Sequence, residues 1–139
     1  MSEFPLRSPG EKVGGLVYFG RMLDKIRLHA KGELPDEYVA NLGKGFDRFC
    51  VGLLRIDYED LVARVKSGGT DEEIFTWCFE TGRRPTDDEV HIWNEFMRKC
   101  GWKDKLSEML TRRKEEADMT ARADIETMFQ FIDADEGRL

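Results

Sequence analysis

The sequence predicts an all-α protein, a compact orthogonal bundle of about six or seven mostly short helices. Two helix starts share a capping pattern in which Glu follows Thr by three residues, once at Thr70 and Glu73 and once at Thr86 and Glu89. Near the carboxyl end, apolar residues recur at the spacing of one helix face: Ile125, Met128, Phe129 and Ile132. Val and Ile form no alternating apolar run elsewhere, so the sequence predicts no strand.

The amino-terminal part predicts an extended arm followed by a long helix. Residues 1–12 contain two prolines and a glycine, which favour irregular backbone, and residues 13–139 are expected to form a single all-α domain. The first helix is expected from about residue 14 to residue 30, where Gly32 supplies a stop signal. A short turn is expected near residues 37–42.

The middle of the chain predicts two further helices bounded by glycines. One is expected from residue 44 or 45 to about residue 54. Asp57 is a suitable N-cap for the next helix, and the glycines at positions 68 and 69 end it. The apolar face of that helix consists of Leu61, Val62 and Val65.

The second half of the chain predicts four more helices. The two capping boxes open helices that end near Gly82 and near Gly101. Asp104 is expected to cap the next helix, and Asp124 is expected to cap the last one. The large aromatic residues of this half are expected in the core: Phe75, Trp77, Phe79, Trp93, Phe96 and Trp102.

The charge of the chain is unevenly distributed. The 139 residues carry a net charge of −6, which disfavours nucleic acid as a partner. Residues 1–70 hold 11 basic and 10 acidic side chains, whereas residues 71–139 hold 11 and 18. The first half is therefore the better place to look for a site that binds an anion.

The composition of the chain also predicts its cellular location and the classes of cofactor and partner that it lacks. No apolar run approaches the roughly 20 residues that span a bilayer, and the polar start is unlike a signal peptide. The three cysteines show no metal-type spacing and are interpreted as reduced thiols. We therefore expect a cytoplasmic protein with no cofactor, no metal, no membrane contact and no nucleic-acid partner.

The first predicted helix combines an apolar surface with ionic side chains. A helix that is apolar most of the way round is normally buried, and charges on it need partners. One interpretation is a structural ion pair between Asp24 and Arg27, with Arg21 and Lys25 at the surface. The other is a half-buried polar pocket that binds a ligand through Arg21, Asp24, Lys25 and Arg27.

The segment Gly43-Lys44-Gly45 is a second candidate for anion binding. It precedes a predicted helix, so free backbone amides and the lysine could hold a phosphate or a carboxylate. The spacing is not that of a phosphate-binding P-loop. The alternative is a flexible turn in which glycine supplies a positive φ angle.

Paired arginines form the third candidate. Arg83 and Arg84 stand immediately before Pro85, which restricts the backbone, and paired guanidinium groups suit bidentate binding of anions. The alternative is a solvated loop that compensates the preceding helix dipole. If Arg84, Lys44 and Arg21 converge in space, the three candidates become one site.

Three functions remain open from these residues. The leading hypothesis is a domain that binds an anionic small molecule and catalyses nothing. The second is a protein–protein interaction or homo-oligomerisation module that uses Met128, Phe129 and Phe131 of the last helix. The third is an enzyme in which Asp24 acts as a general base.

The chain also resembles a known family. The resemblance is carried, in order, by GGLVYFGRMLDKIRLHAKGELP, ANLGKGFD, GGTDEEIFTWCF, GRRP, WNEFMRKCGW and DIETMFQFIDADEGR. Together these segments resemble a bacterial family of domains of unknown function, number 5069, over nearly the whole chain. The resemblance implies a small cytosolic single domain, and it supplies no catalytic or binding residue.

Overall fold

The structure, a computed structural model, describes residues 4–139 and is predominantly helical, as predicted. Within this range a short hairpin precedes eight helices, close to the predicted number. The elements are β1 (Lys12–Val13), β2 (Leu16–Val17), α1 (Phe19–Ala30), α2 (Asp36–Val39), α3 (Phe46–Leu54), α4 (Tyr58–Lys66), α5 (Asp71–Thr81), α6 (Asp87–Lys99), α7 (Ser107–Glu116) and α8 (Met128–Asp135). None of the described helices has the length and apolar character that crossing a bilayer requires.

The prediction of a helix from residue 14 is wrong, because residues 12–17 form an antiparallel hairpin. Gly14 and Gly15 have φ angles of 59° and 88°, which suit a two-residue hairpin turn. A Cβ atom at Gly14 would lie 1.8 Å from the ring of Phe75, so the turn also needs glycine for space. Helix α1 therefore begins only at Phe19.

The predicted arm is closely attached to the rest of the protein. Its first three residues lie outside the described part of the chain, and residues 4–11 contain only bends and turns. The side chain of Leu6 is 1 % exposed. The guanidinium group of Arg7 binds the carboxylates of Asp24 and Asp71. Packing and ion pairs thus fix the arm against α1 and the start of α5.

Helix α1 lies in the centre of the main core. Phe19, Met22 and Leu23 are completely buried, and α1 packs against α4 and β1. A smaller second core lies between α7 and α8 and includes Leu110 and Phe131. Burial of each large apolar side chain contributes roughly 1.5–3 kcal/mol to folding.

Local capping patterns determine several helix starts as predicted. The hydroxyl of Thr70 accepts a hydrogen bond from the backbone of Glu73, whose side chain returns one to the backbone of Thr70. Thr86 and Glu89 form the same reciprocal pair at α6. Asp57 caps α4, because its side chain accepts hydrogen bonds from two backbone amides of the first turn.

Two predicted caps are wrong. The carboxylate of Asp104 accepts from the amides of Gly101 and Leu106 and closes the loop before α7, which begins later. The last helix is capped by Thr127 in a third capping box, and Asp124 pairs with Arg122 outside the helix. The N-cap position of α7 is occupied by Leu106, which provides no side-chain capping hydrogen bond, whereas Thr127 provides the cap at the last helix.

The predicted burial of several aromatic residues is also corrected. Phe96 and Trp102 are 50 % and 47 % exposed, so they do not belong to the core. Phe131, which the hypothesis of an interaction module requires at the surface, is only 8 % exposed. Met128 and Phe129 beside it are buried as well, so α8 offers no apolar docking face.

We predict that Gly82→Ala destabilises the protein whereas Gly52→Ala does not. A Cβ atom at Gly82 would lie 2.0 Å from the carbonyl oxygen of Leu54, so the α5–α6 joint must move, at a cost of about 1–3 kcal/mol. Gly52 lies inside α3 with open space around its Cα, and alanine there should raise the free energy of unfolding by about 0.5–1 kcal/mol. Urea titrations of both variants measure this difference, and effects of the same sign would contradict it.

Candidate functional site

A cavity of about 380 Å³ lies beside α1 and is the candidate functional site. Helices α1, α2, α3, α7 and α8 all contribute to its wall. Tyr18, Arg21 and Lys25 are buried and form its deep side, whereas Lys44 and Arg113 are exposed at its solvent side. Two of the predicted sites, on α1 and before α3, therefore meet at one cavity.

Lys25, Tyr18 and Asp47 form a hydrogen-bonded group at the deep side. The Nζ atom of Lys25 donates to the Oη atom of Tyr18 at 2.8 Å and lies 2.7 Å from Oδ1 of Asp47. The hydroxyl of Tyr18 in turn donates to Oδ1 of Asp47 at 2.6 Å. Asp47 is completely buried, so these hydrogen bonds replace the water that its carboxylate loses.

The glycines before α3 position Asp47. Gly43 and Gly45 have φ angles of 75° and 58°, which bring the chain round so that the amide of Gly43 donates to Oδ2 of Asp47 at 3.0 Å. An acidic side chain also suits the positive end of α3. The amide of Gly43, which we expected to help hold an external anion, thus binds a carboxylate of the protein, while Lys44 and Gly45 line the cavity.

Tyr18 has a backbone conformation that is rare for a bulky residue. Its φ angle is 73° at the junction between β2 and α1, in the left-handed region. Such a conformation costs roughly 1–3 kcal/mol and persists only where the surroundings enforce it. In this protein the conformation brings the hydroxyl of Tyr18 within hydrogen-bonding distance of both Lys25 and Asp47.

Arg21 and Glu136 form the second buried ion pair at the cavity. Two nitrogens of the guanidinium donate to the two carboxylate oxygens at 2.8 Å and 2.6 Å. The hydroxyl of Tyr38 and the guanidinium of Arg138 also donate to Glu136. The side chains of the pair are 4 % and 2 % exposed, so the charges of Arg21 and Glu136 are satisfied almost entirely by the protein.

Burial and ion pairing change the proton affinities of these groups in opposite directions. Burial lowers the pKa of Lys25, and the nearby carboxylate of Asp47 offsets part of that effect. Burial, together with Asp47, raises the pKa of Tyr18 well above its ordinary value. Burial alone would raise the pKa of Glu136, but hydrogen bonds from Arg21 and the charge of that guanidinium outweigh it, so the pKa is lowered.

The rest of the wall is mainly apolar and has a charged rim. The apolar lining comprises Phe46, Phe49, Leu106, Met109, Met128, Phe131 and Ile132. Lys44 and Arg113 form no side-chain ion pair with any residue in 4–139. The carboxylates of Glu37 and Asp135 also line the cavity and are exposed. The site can therefore accept an apolar body and offers two cations to an acidic group.

The predicted ion pair between Asp24 and Arg27 does not form. Asp24 accepts three hydrogen bonds from the backbone and side chain of Arg7, and Arg27 pairs with Asp71 at 2.7 Å. These residues lie on a side of α1 that does not line the cavity. The carboxylate of Asp24 is occupied by Arg7, so the geometry gives no support to its use as a general base.

Arg83 and Arg84 do not join the cavity either, so the predicted convergence with Lys44 and Arg21 fails for Arg84. Arg83 donates to the carboxylate of Glu89 and to the backbone carbonyl of Leu53, which ties α3 to the start of α6. The guanidinium of Arg84 lies 5.3 Å from the ring centre of Phe79. Both arginines serve the α5–α6 joint.

A separate apolar groove lies between α3 and α6. Its lining includes Phe49, Leu53, Ile92 and Phe96, with Ile92 65 % exposed. The rings of Phe49 and Phe96 are 6.1 Å apart, whereas Arg83 binds both Leu53 and Glu89 at the other end. The two helices therefore run antiparallel along the groove.

Several residues were not singled out from the sequence: Tyr18, Tyr38, Arg113 and Glu136 of the cavity lining, and Asp47, which binds Lys25. Asp47 could have been recognised, because it lies in the first turn of a helix that follows glycines, where a carboxylate interacts favourably with free backbone amides. Tyr18 was predicted inside the first helix, whereas it lies immediately before the start of α1. No local signal connects Glu136 with Arg21, which lies 115 residues away.

We predict that Glu136→Leu lowers the free energy of unfolding by about 3–5 kcal/mol, because it leaves Arg21 buried without a counter-charge. Glu95→Leu, which breaks an exposed pair with Arg98, should change stability little. Chemical denaturation measures both variants, and equal losses would contradict the prediction.

Acid should reduce the advantage of wild type over Glu136→Gln. The lowered pKa of Glu136 contributes stability that is present above its ordinary value of 4.5 and lost as the pH falls through the folded-state value. Denaturant titrations at a series of acidic pH values follow the difference between the two proteins. A difference that grows on acidification would contradict the assignment of the carboxylate to this pair.

Comparison with known proteins identifies the family. No curated protein matches the chain. A family profile described as "Domain of unknown function (DUF5069)" matches residues 3–138, nearly the whole chain. The match includes the residues of the hairpin, of α1 and of the cavity. The chain therefore belongs to the DUF5069 family.

Proposed function

We propose that the protein binds an anionic small molecule with an apolar or aromatic body in the cavity beside α1. The single observation that carries this proposal is the combination of an apolar wall with two cations, Lys44 and Arg113, that have no carboxylate partner within the described residues. Ligand sites are typically concave, mostly apolar and equipped with a few polar groups that orient the ligand.

The size of the cavity supports a small ligand. A volume of about 380 Å³ lies at the lower end of the roughly 300–1,000 Å³ common for small-molecule sites. The rings of Phe46 and Phe131 can pack against a flat apolar group. A ligand of the size of a substituted benzene ring with one acidic group fits these properties.

The cations at the two ends of the cavity differ in whether they already have a carboxylate partner. Arg21 and Lys25 already have the carboxylates of Glu136 and Asp47 as partners. Lys44 and Arg113 would therefore supply the attraction for an acidic group at the solvent side, which must bind close to them and away from the carboxylates of Glu37 and Asp135. Of the residues first singled out, Arg21, Lys25, Lys44 and Gly45 belong to this site, and the others act elsewhere.

We also propose that the protein is cytoplasmic and acts as a single domain. Cys50, Cys78 and Cys100 are all buried free thiols, which is typical of proteins in a reducing compartment. The arm contributes Leu6 to a buried position and is part of the same folded unit.

Isothermal titration with phenyl phosphate and benzoate, and with benzyl alcohol as the uncharged comparator, tests the binding proposal. We expect saturable binding of the two anions and weaker binding of the alcohol. In the Lys44→Ala/Arg113→Ala variant the affinity for the anions should fall about five- to tenfold, because each exposed ion pair contributes up to about 1 kcal/mol.

A variant with the same loss of charge provides the control. Lys31 and Arg112 are exposed cations that do not line the cavity. Lys31→Ala/Arg112→Ala should bind both anions as wild type does. The proposal fails if no anion shows saturable binding, or if the two double variants weaken binding equally.

The groove between α3 and α6 supports a second candidate function, self-association. Ile92 and Phe96 are the most exposed of its large apolar residues. Arg48 lies toward one end of the groove and Glu89 at the other. Because a two-fold axis exchanges the ends, Arg48 of one copy would approach Glu89 of the other while the apolar centres pack together. A second copy of this chain is therefore the partner that we propose for the groove.

Light scattering coupled to size exclusion tests this arrangement. Wild type should shift toward a dimer as the concentration rises, and Ile92→Glu or Phe96→Glu should remain monomeric, because a buried unpaired charge opposes association. Trp102→Glu is the control, since Trp102 is similarly exposed but lies outside the groove. A wild-type protein that is monomeric at every concentration rules out self-association.

A further inference from the structure

The structure contains a lysine amine at the deep side of the cavity with proton-transfer groups already in contact with it. We propose that Lys25 forms an iminium with a carbonyl group of the bound molecule, and that Tyr18 and Asp47 move the protons that this reaction requires. The inference deepens the binding function proposed above and rests on it, because the carbonyl compound must first enter the cavity.

The position of the amine is the first argument. Lys25 lines the cavity although its side chain is only 7 % exposed. Lys44, the other lysine of the wall, is exposed to solvent. A carbonyl carbon that enters the deep end of the cavity therefore meets an amine that is held in one place and is largely shielded from water, which favours addition over competing hydrolysis.

The ammonium group of Lys25 has a carboxylate beside it that can take up its proton. An amine adds to a carbonyl only as the neutral base, so the ammonium of Lys25 must lose a proton before it reacts. Oδ1 of Asp47 lies 2.7 Å from Nζ and can accept that proton without release to solvent. Burial also lowers the pKa of Lys25, which favours the neutral amine.

The reaction balances with the groups present. Lys25 gives one proton to Asp47, and the neutral amine adds to the carbonyl carbon. Tyr18 lies 2.8 Å from Nζ and passes a proton from the nitrogen to the former carbonyl oxygen, which gives a carbinolamine. Asp47 then returns its proton through Tyr18 to the hydroxyl group, which leaves as water. The products are an iminium on Lys25, one water and the Asp47 carboxylate beside the new cation.

The backbone of Tyr18 is the third argument. A bulky residue at a φ angle of 73° carries strain, and such strain is concentrated at sites where a side chain must take one position. The strained conformation places the phenol in contact with both the amine and the carboxylate. The lysine and the aspartate already contact each other directly at 2.7 Å, so neutralising their charges does not require the additional hydrogen bonds of the phenol.

The two ends of the cavity define the class of substrate. The deep end holds the amine, and the solvent side holds the cations of Lys44 and Arg113. The molecule that fits both is an aldehyde or ketone with an apolar body and an acidic group at its far end. We therefore use para-carboxybenzaldehyde as the probe and para-(hydroxymethyl)benzoate, which lacks the carbonyl, as its matched control.

Reductive trapping tests the inference. The full-length protein is incubated with para-carboxybenzaldehyde and sodium cyanoborohydride, whose hydride reduces an iminium to a stable secondary amine, and labelled lysines are counted by peptide mass spectrometry. Lys25 should be labelled at least about tenfold faster than the exposed Lys31 and Lys66, because the cavity holds the carbonyl group beside its amine and burial lowers the pKa of that amine. An excess of para-(hydroxymethyl)benzoate should protect Lys25 alone.

Variants separate the role of Tyr18 in proton transfer from its contribution to folding. Tyr18→Phe keeps the ring and should slow labelling of Lys25 about tenfold or more, with Lys31 unchanged, because the proton relay is lost. Lys105→Arg changes an exposed lysine that does not line the cavity and should leave the labelling of Lys25 as in wild type. Circular dichroism verifies that both variants are folded.

Two measurements distinguish failure of this inference from failure of the binding proposal. If titration shows that para-(hydroxymethyl)benzoate binds but Lys25 is labelled no faster than Lys31, the binding function stands and the iminium is overturned. If neither binding nor preferential labelling occurs, both are overturned. Unchanged labelling in folded Tyr18→Phe would remove Tyr18 from the reaction.

Discussion

Helix α1 must bury ionic side chains in the middle of the core, and the rest of the structure depends on how those charges are neutralised. Each partner comes from a different part of the chain. Asp24 is held by Arg7 of the arm, Lys25 by Asp47 of α3, and Arg21 by Glu136, which follows α8. Since removal of one partner from a buried pair is strongly destabilising, these contacts fix where the arm, α3 and the carboxyl end lie around α1.

This constraint also explains why a cavity forms beside α1. Arg21 and Lys25 extend their charged ends toward Glu136 and Asp47, so α3 and α8 are held at the distance that these long side chains require. Aromatic residues such as Phe46 and Phe131 form the walls of the space that remains. Replacing a buried ion pair by apolar residues of similar volume is often neutral or stabilising. Arg21, Lys25 and Glu136 line the cavity, so both pairs contribute charged side chains to its wall.

The sequence predicts those parts of the fold that are specified by neighbouring residues. The capping boxes at Thr70 and Thr86 are complete within four residues, so the starts of α5 and α6 could be placed correctly. The hairpin was missed because its strands are two residues long, too short to show alternation, although Gly14-Gly15 is a recognised turn signal.

The partners of the charged residues could not be predicted in the same way. Glu136 lies 115 residues from Arg21, and no spacing rule connects positions so far apart. The sequence did indicate that Arg21 and Lys25 had to be neutralised if α1 was buried. It placed Asp24 with Arg27 because they are close on one helix, whereas tertiary contacts to Arg7 and Asp71 replace that local pair.

Tyr18 links the fold to the chemistry of the cavity. The two-glycine turn reverses the chain between β1 and β2, and after β2 the chain enters α1 through Tyr18, a residue in the left-handed region. A glycine at this junction would avoid the strain, but it would remove the phenol that forms hydrogen bonds with both Lys25 and Asp47. Because Phe46 and Phe129 pack against the ring of Tyr18, the core itself maintains this conformation. The free energy stored in the backbone is thus offset by packing, and the result is an oriented hydroxyl beside an amine that faces a cavity.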